Sequence, residues 1–118
     1  MLNSNGKPVN GTRILILGVS YKAGVGDTRE SPAIKIVRLL MELGGDVRFH
    51  DPHVEALPGT GLVNSPDLDT ELAEADLSVI VTAHPEFDWV DVIDKSDLVF
   101  DLRGVTREFA DRGNVTRL

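Results

Sequence analysis

The sequence predicts an open, mostly parallel α/β sheet of about five strands, with helices on both faces. The first observation is a continuous apolar run of strand length at residues 13–19, with further largely apolar runs at residues 77–82 and 98–102. Strands that are apolar throughout, rather than at alternate positions, are typical of parallel sheets covered on both sides. The second is that segments with helical periodicity or helix-start residues separate these runs. Together they indicate a three-layer domain.

The clearest helix follows the first strand. Ser31 is a preferred N-cap and Pro32 a preferred first helical residue, while Gly44 and Gly45 end the segment. Between these limits apolar residues recur every three or four positions. A strand is predicted at residues 46–50, so that strand, helix and strand form a βαβ unit with a right-handed crossover.

The remaining elements are shorter. We expect a short strand near residues 62–63, helices at 67–75 and 85–95, and an edge strand at 115–118. Residues 1–12 are polar and contain glycine and proline, so they are interpreted as a connector. Residues 13–118 then form a single domain with a Rossmann-like order of elements.

Composition excludes several classes of function. The formal net charge of −7 weighs against nucleic acid as a partner. The chain has no cysteine, which excludes disulfides, thiolate metal sites and cysteine nucleophiles within it. No apolar run approaches the roughly 20 residues that cross a bilayer, and the first residues do not resemble a signal peptide. We therefore expect a cytoplasmic location and no membrane partner.

The loop after the first strand, residues 18–32, is a candidate anion site. It contains Lys22, Arg29, three glycines and the start of a helix. Backbone N–H groups at a helix start and nearby cations can bind phosphate. The pattern is neither G-x-G-x-x-G nor a P-loop. The alternative is a solvated loop in which Asp27, Arg29 and Glu30 pair with one another.

The three histidines do not predict a metal site. His50 and His53 flank a proline turn without a third ligand at a useful spacing. His84 follows a strand end and could touch a ligand. Phe87 and Trp89 are interpreted as core residues rather than a stacking surface.

Three segments together resemble the C-terminal domain of the UDP-glucose/GDP-mannose dehydrogenase family. They are residues 17–22 (Leu-Gly-Val-Ser-Tyr-Lys), 27–33 (Asp-Thr-Arg-Glu-Ser-Pro-Ala) and 50–52 (His-Asp-Pro). Residues 6–8, Gly11 and residues 100–103 also look like family positions, so the likeness covers essentially the whole chain. The opening segment and the turn at 50–52 are most similar to the branch acting on UDP-N-acetylhexosamines; UDP-glucose and GDP-mannose enzymes are the alternatives.

The resemblance implies the function of a longer parent protein. Such enzymes oxidise the C6 alcohol of a nucleotide sugar to a carboxylate with NAD⁺. An N-terminal Rossmann domain binds NAD, a central helical region forms the dimer interface, and a catalytic cysteine carries the covalent intermediates. The C-terminal domain grips the nucleotide end of the UDP-sugar. We therefore expect no catalytic residue and no turnover in this chain alone, and a homo-oligomeric parent.

The resemblance also implies roles for four residues. Lys22 approaches the diphosphate of the substrate with Tyr21 beside it, and Arg103 lies near the base and phosphates. Arg29 reaches toward NAD on the other domain. We expect the three cations to converge on one pocket. The alternatives are a local ion pair of Arg29, with Asp27 or with the acid at position 51, and a merely solvated Arg103.

Two other functions compete with nucleotide-sugar binding. One is a stand-alone nucleotide-binding or regulatory α/β module, such as a flavodoxin-like or response-regulator domain. The first strand, however, lacks the paired acids of a receiver at its end, and the loop after it lacks the Ser/Thr-rich sequence of a flavodoxin. The other is a structural lid with no ligand affinity of its own.

Overall fold

The computed structural model describes residues 9–117 and confirms the predicted α/β architecture. Five parallel strands form one sheet in the order β2-β1-β5-β6-β7, and β3 and β4 form a separate antiparallel pair. The strands are β1 (Arg13–Leu17), β2 (Asp46–His50), β3 (Ala56–Leu57), β4 (Leu62–Val63), β5 (Leu77–Ile80), β6 (Val99–Asp101) and β7 (Val115–Arg117). The helices are α1 (Pro32–Glu42), α2 (Leu68–Glu74) and α3 (Trp89–Lys95).

The strand order reverses beside β1. The chain leaves β1 through α1 to β2 on one side, then returns past β1 to β5 on the other. Leu17, at the end of β1, is in register with His50 and with Ile80. The loops after β1 and β5 therefore diverge over opposite faces and leave a crevice at the carboxyl ends of the strands, where open α/β sheets bind ligands.

Two cores lie on opposite faces of the sheet because side chains alternate along β1. Ile14 and Ile16 belong to the core beneath α1, whereas Leu15 and Leu17 belong to the core beneath α2 and α3. All four are buried, and each buried aliphatic side chain contributes about 1.5–3 kcal/mol. This two-sided burial explains why the strand is apolar throughout.

Caps set the helix boundaries. The Ser31 hydroxyl accepts a hydrogen bond from the Ala33 N–H at 3.1 Å, and Pro32 is the first helical residue, as predicted. The helix predicted for residues 85–95 begins later, because Asp88 is its N-cap and accepts from the Asp91 N–H. The residues before that cap form a turn instead.

The ends of the chain are only partly described. Residues 1–8 of the predicted connector and Leu118 of the predicted edge strand lie outside the described residues. Val9 packs against the α1-side core, and the Gly11 N–H donates to the Gly44 carbonyl at 3.0 Å. Within residues 9–117, no helix is long and apolar enough to cross a membrane.

Gly18 ends β1 and turns the chain into the loop that follows. It has φ +81°, and a Cβ added there would collide with the carbonyl of Thr82. Its N–H donates to the His50 carbonyl at 3.0 Å. Both the left-handed conformation and the close approach of the backbone after β5 therefore require glycine.

We predict that Gly18→Ala lowers the free energy of unfolding by roughly 3 kcal/mol, the sum of left-handed strain and a backbone clash. Gly61→Ala is the matched control, since Gly61 has φ +77° and open space around its Cβ position; we expect it to cost about 1 kcal/mol. Urea unfolding of both variants measures the difference. Equal losses would show that the Thr82 contact adds nothing.

Candidate nucleotide-binding site

The loops after β1, β5 and β6 enclose a cavity of about 120 Å³ at the carboxyl edge of the sheet. Tyr21, Lys22 and Arg103 all line it, although Arg103 is 81 positions beyond Lys22 in the sequence. The other lining residues are small or apolar, apart from two hydroxyl side chains: Ser20, Ala23, Pro32, Val81, Thr82 and Ala83. The cavity therefore places two cations and a helix start around one space.

Neither cation is neutralised within the described part of the chain. Lys22 is exposed, and its Nζ lies 5.4 Å from the centroid of the Tyr21 ring, in the geometry of a cation–π contact. Among residues 9–117, no carboxylate forms a salt bridge with Lys22 or with Arg103. Two unpaired cations on a chain of net charge −7 form a local site for an anion.

Arg29 lines a different hollow, of about 310 Å³, together with Tyr21, Asp27 and Glu30. Its guanidinium pairs with the Asp27 carboxylate, with Nη2 to Oδ2 at 2.8 Å. The side-chain hydrogen bond from Arg29, helped by its backbone N–H, lowers the pKa of Asp27 from 3.8 to about 2. Of the three cations expected in one pocket, Lys22 and Arg103 share the cavity, and Arg29 lies in the adjacent hollow across Tyr21.

A buried carboxylate fixes the loop that carries Tyr21 and Lys22. Asp51, at the end of β2, is 1% exposed. Its Oδ2 accepts from the N–H groups of Val19 at 2.7 Å and Ser20 at 3.3 Å, and its Oδ1 accepts from the His53 N–H at 2.7 Å. The sequence suggested a turn at this position, or an ion pair with Arg29, which pairs with Asp27 instead. The anchoring role of Asp51 is therefore a finding of the structure.

His84 is buried below the same loop and lines neither hollow. Its Nε2 lies 2.8 Å from the Asp51 carboxylate and 3.1 Å from the Ser20 hydroxyl. Its Nδ1 accepts from the Gly24 N–H at 3.0 Å. The suggestion that His84 could touch a ligand is therefore wrong for this structure, because the loop covers it.

Among the residues that the structure describes, one group of side chains has metal-binding chemistry, namely His53, His84 and Glu86. Their ligand atoms lie within 4.8 Å of one another, and His53 Nε2 is 2.7 Å from the Glu86 carboxylate. Both ring nitrogens of His84 already have hydrogen-bond partners, however, so the group has no free third ligand. It does not fit a metal ion unless His84 gives up its hydrogen bond to Gly24 or to Asp51.

Comparison with known proteins agrees with this geometry. Residues 15–108 match the model of the UDP binding domain of the UDP-glucose/GDP-mannose dehydrogenase family. The chain belongs to this family.

The relatives and solved structures are much longer proteins. The UDP-N-acetyl-D-mannosamine dehydrogenase of Yersinia pestis is 34% identical over 110 residues, which is 90% of this chain and 26% of that protein. The UDP-glucose 6-dehydrogenase of Rhizobium meliloti is 34% identical over 113 residues, covering 87% of this chain and 25% of that protein. The structure of UDP-D-ManNAc dehydrogenase from Pyrococcus horikoshii superposes with a TM-score of 0.79 at 27% identity, over 98% of this chain and 27% of that one. The chain thus spans about a quarter of the length of these family members.

Arg103 of this family domain is positioned by a second buried acid, Asp101 at the end of β6. The Asp101 Oδ1 accepts from the N–H groups of Arg103 at 2.9 Å and Gly104 at 2.8 Å. Its Oδ2 accepts from the N–H and the hydroxyl of Thr106. The turn that presents Arg103 to the cavity is therefore fixed by hydrogen bonds to a single carboxylate.

Sequence reasoning identified the cations but missed the groups that hold them. Asp51, His84 and Asp101 are buried polar residues at or beyond the carboxyl ends of strands, and each hydrogen-bonds a loop that lines the cavity. The available signal was an acid directly after β2 and at the end of β6. The sequence did not show that the loop after β1 would reach Asp51 and His84, since these bonds depend on the strand order. The bonds to Asp101 are local and come from residues two to five positions later.

We predict that Asp101→Asn lowers the free energy of unfolding by about 2–3 kcal/mol at neutral pH, because the amide NH2 group would point a donor at groups that now donate to a carboxylate oxygen. Burial alone raises the pKa of Asp101, but hydrogen bonds from Thr106, Arg103 and Gly104 outweigh it and the pKa falls below 3.8. The carboxylate therefore stabilises the fold above the unfolded-state pKa, and this contribution is lost as pH falls through the lower folded-state value.

Thermal unfolding across pH 2–7 measures both effects for Asp101→Asn. The control is Asp67→Asn, which keeps a good N-cap on α2. Hydrogen bonds from Thr70 lower the pKa of Asp67 too, but they are exposed, so this variant should change the acid-range profile less than Asp101→Asn does. If the wild-type protein and Asp101→Asn lost stability equally as the pH fell through the acid range, the proposed role of this carboxylate would be contradicted.

We predict that Arg29→Ala raises the pKa of Asp27 from about 2 part of the way toward 3.8, since the backbone N–H at position 29 remains as a donor. Carboxyl chemical shifts followed through a pH titration report this value directly. Stability should change little, because the Arg29 side chain is 86% exposed. An Asp27 that still titrates near 2 would show that the guanidinium does not set its pKa; Lys35→Ala serves as the control.

Proposed function

We propose that this chain binds the nucleotide end of a UDP-sugar, as part of an NAD-dependent nucleotide-sugar 6-dehydrogenase. The observation that carries the proposal is the convergence of Lys22 and Arg103 on one cavity at the carboxyl edge of the sheet. Membership of the family, through its UDP binding domain, supplies the chemical class of the ligand. A diphosphate has the charge that two otherwise unpaired cations require.

The two cations at the cavity would contact the nucleotide in different ways. Lys22 provides a compact point charge for a phosphate oxygen, while the Arg103 guanidinium can form two parallel hydrogen bonds to phosphate or stack on a base. Pro32 places the first turn of α1 at the cavity wall. The positive end of the α1 dipole therefore adds to the attraction for an anion. Tyr21 limits the motion of Lys22 through their ring contact.

The hollow beside Arg29 is proposed to face the NAD that other domains bind. It adjoins the cavity through Tyr21, so substrate and cofactor would meet on either side of this ring. Arg29 would then exchange its pairing with Asp27 for a contact with the cofactor. The chain lacks cysteine, so the covalent steps of the oxidation fall to other domains, and this chain alone is proposed to be inactive. A homo-oligomeric, cytoplasmic parent completes the proposal.

The sugar is proposed to be an N-acetylhexosamine. Relatives named UDP-N-acetyl-D-mannosamine dehydrogenase, from Yersinia pestis and Pyrococcus horikoshii, support this branch. A relative named UDP-glucose 6-dehydrogenase has comparable identity, so UDP-glucose is the second candidate. The cavity described above addresses the nucleotide rather than the sugar, and competition between the two UDP-sugars in the parent enzyme separates them.

Titration with UDP, followed by amide chemical shifts, tests the proposal. We expect shifts concentrated in residues 20–32 and 101–104. We also expect Lys22→Ala to weaken binding by roughly 1–3 kcal/mol, the value of one charge-assisted contact. Lys35→Ala is the matched control, because it removes an exposed lysine from α1 that lines neither hollow. Silence across millimolar UDP would favour a structural lid instead, and equal affinities of the two variants would remove Lys22 from the site.

A further inference from the structure

The hydrogen bonds around His84 determine its tautomer. Nδ1 accepts from the Gly24 N–H, so it must carry a lone pair rather than a proton. The proton therefore sits on Nε2, which faces the Asp51 carboxylate at 2.8 Å and the Ser20 hydroxyl at 3.1 Å. The Ser20 hydroxyl donates its own proton to the Lys22 carbonyl at 2.8 Å, which leaves its oxygen to accept from His84. Every donor in this group thus has an acceptor.

These bonds tie the loop to the sheet on both sides of Lys22. Ser20, before it, is held by the Asp51 carboxylate through its N–H and by the Thr82 hydroxyl, which donates to its carbonyl at 2.6 Å. Gly24, after it, is held by His84. Residues 21–24 are otherwise exposed. An exposed loop that is free in solution loses conformational entropy when a ligand orders it, whereas a loop that is already fixed does not.

We propose that His84 is a positioning residue, which holds Lys22 in its binding conformation by accepting the Gly24 N–H on Nδ1. The inference rests on the proposed function, since the bound anion is taken to be UDP. His84 does not touch the ligand, because it lines neither hollow and is fully buried. It acts through the loop alone, and this distinguishes it from Lys22.

Two substitutions separate the two ring nitrogens. In His84→Asn the amide oxygen can take the place of Nδ1 and accept from Gly24, but the side chain is too short to reach Asp51. In His84→Gln the amide nitrogen can take the place of Nε2 and donate to Asp51 and Ser20, but nothing remains to accept from Gly24. Each variant is the other's matched control, because both remove the imidazole from the same buried position.

The experiment measures amide hydrogen exchange at Gly24 in the free chain and UDP affinity by titration. We expect His84→Gln to lose protection at Gly24 and to bind UDP about fivefold more weakly, the effect of one lost neutral hydrogen bond. We expect His84→Asn to keep both. In a Lys22→Ala background, His84→Gln should cause no further loss of affinity, because the loop then has no ammonium to position.

Equal UDP affinities of the two His84 variants, or undiminished Gly24 protection in His84→Gln, would overturn the inference while leaving the proposed function intact. A full additional loss from His84→Gln in the Lys22→Ala background would also overturn it. His84→Asn could unfold because Asp51 loses a donor. In that case the double-mutant cycle between His84→Gln and Lys22→Ala still tests whether His84 acts through Lys22. Absence of UDP binding by the wild-type chain would overturn the proposed function, and the positioning role for UDP with it.

Discussion

The buried carboxylate of Asp51 is the interaction on which the candidate site depends. It joins three parts of the chain that are distant in sequence: the end of β1 through two backbone N–H groups, the turn after β2 through the His53 N–H, and the segment after β5 through His84. A buried charge is tolerated only when donors surround it. Here the same donors that stabilise the carboxylate also fix the loop that carries Lys22, so stability and site geometry have one cause.

Asp101 repeats this arrangement at the other wall of the cavity. Like Asp51, it lies where a strand ends, is buried, and accepts the N–H of the residue two positions later. Each acid therefore shapes a turn at the carboxyl edge of the sheet, and each turn or its neighbour presents a cation. The two walls of the cavity are held by backbone N–H groups rather than by exposed side chains, which makes the frame independent of whether a ligand is present.

The sequence predicted most of the fold and singled out Lys22 and Arg103, which line the cavity. It predicted few of the hydrogen bonds that hold the loops carrying these two residues. Continuous apolarity at residues 13–19 indicated a strand covered on both faces, because neither face of β1 meets water. Ser31 and Pro32 located the start of α1, since capping is a local property. The start of α3 was placed too early, because the apolar spacing near Phe87 is also compatible with a buried turn. The contact between Gly24 and His84 could not be inferred, since residues 60 positions apart meet only once the strand order is known.

The same reasoning explains how an acidic chain can present free cations to a phosphate. With 19 acidic and 12 basic side chains, most cations would be expected to find a carboxylate nearby. Arg29 does, because Asp27 lies only two residues away and its carboxylate is within reach of the guanidinium. Asp51 and Asp101 are also close to the cavity, but their oxygens already accept several donors each and lie beneath the loops. The oxygens of both carboxylates accept hydrogen bonds from N–H and hydroxyl groups, so they form no ion pairs with Lys22 or Arg103. A ligand diphosphate would then be the first anion that either cation contacts.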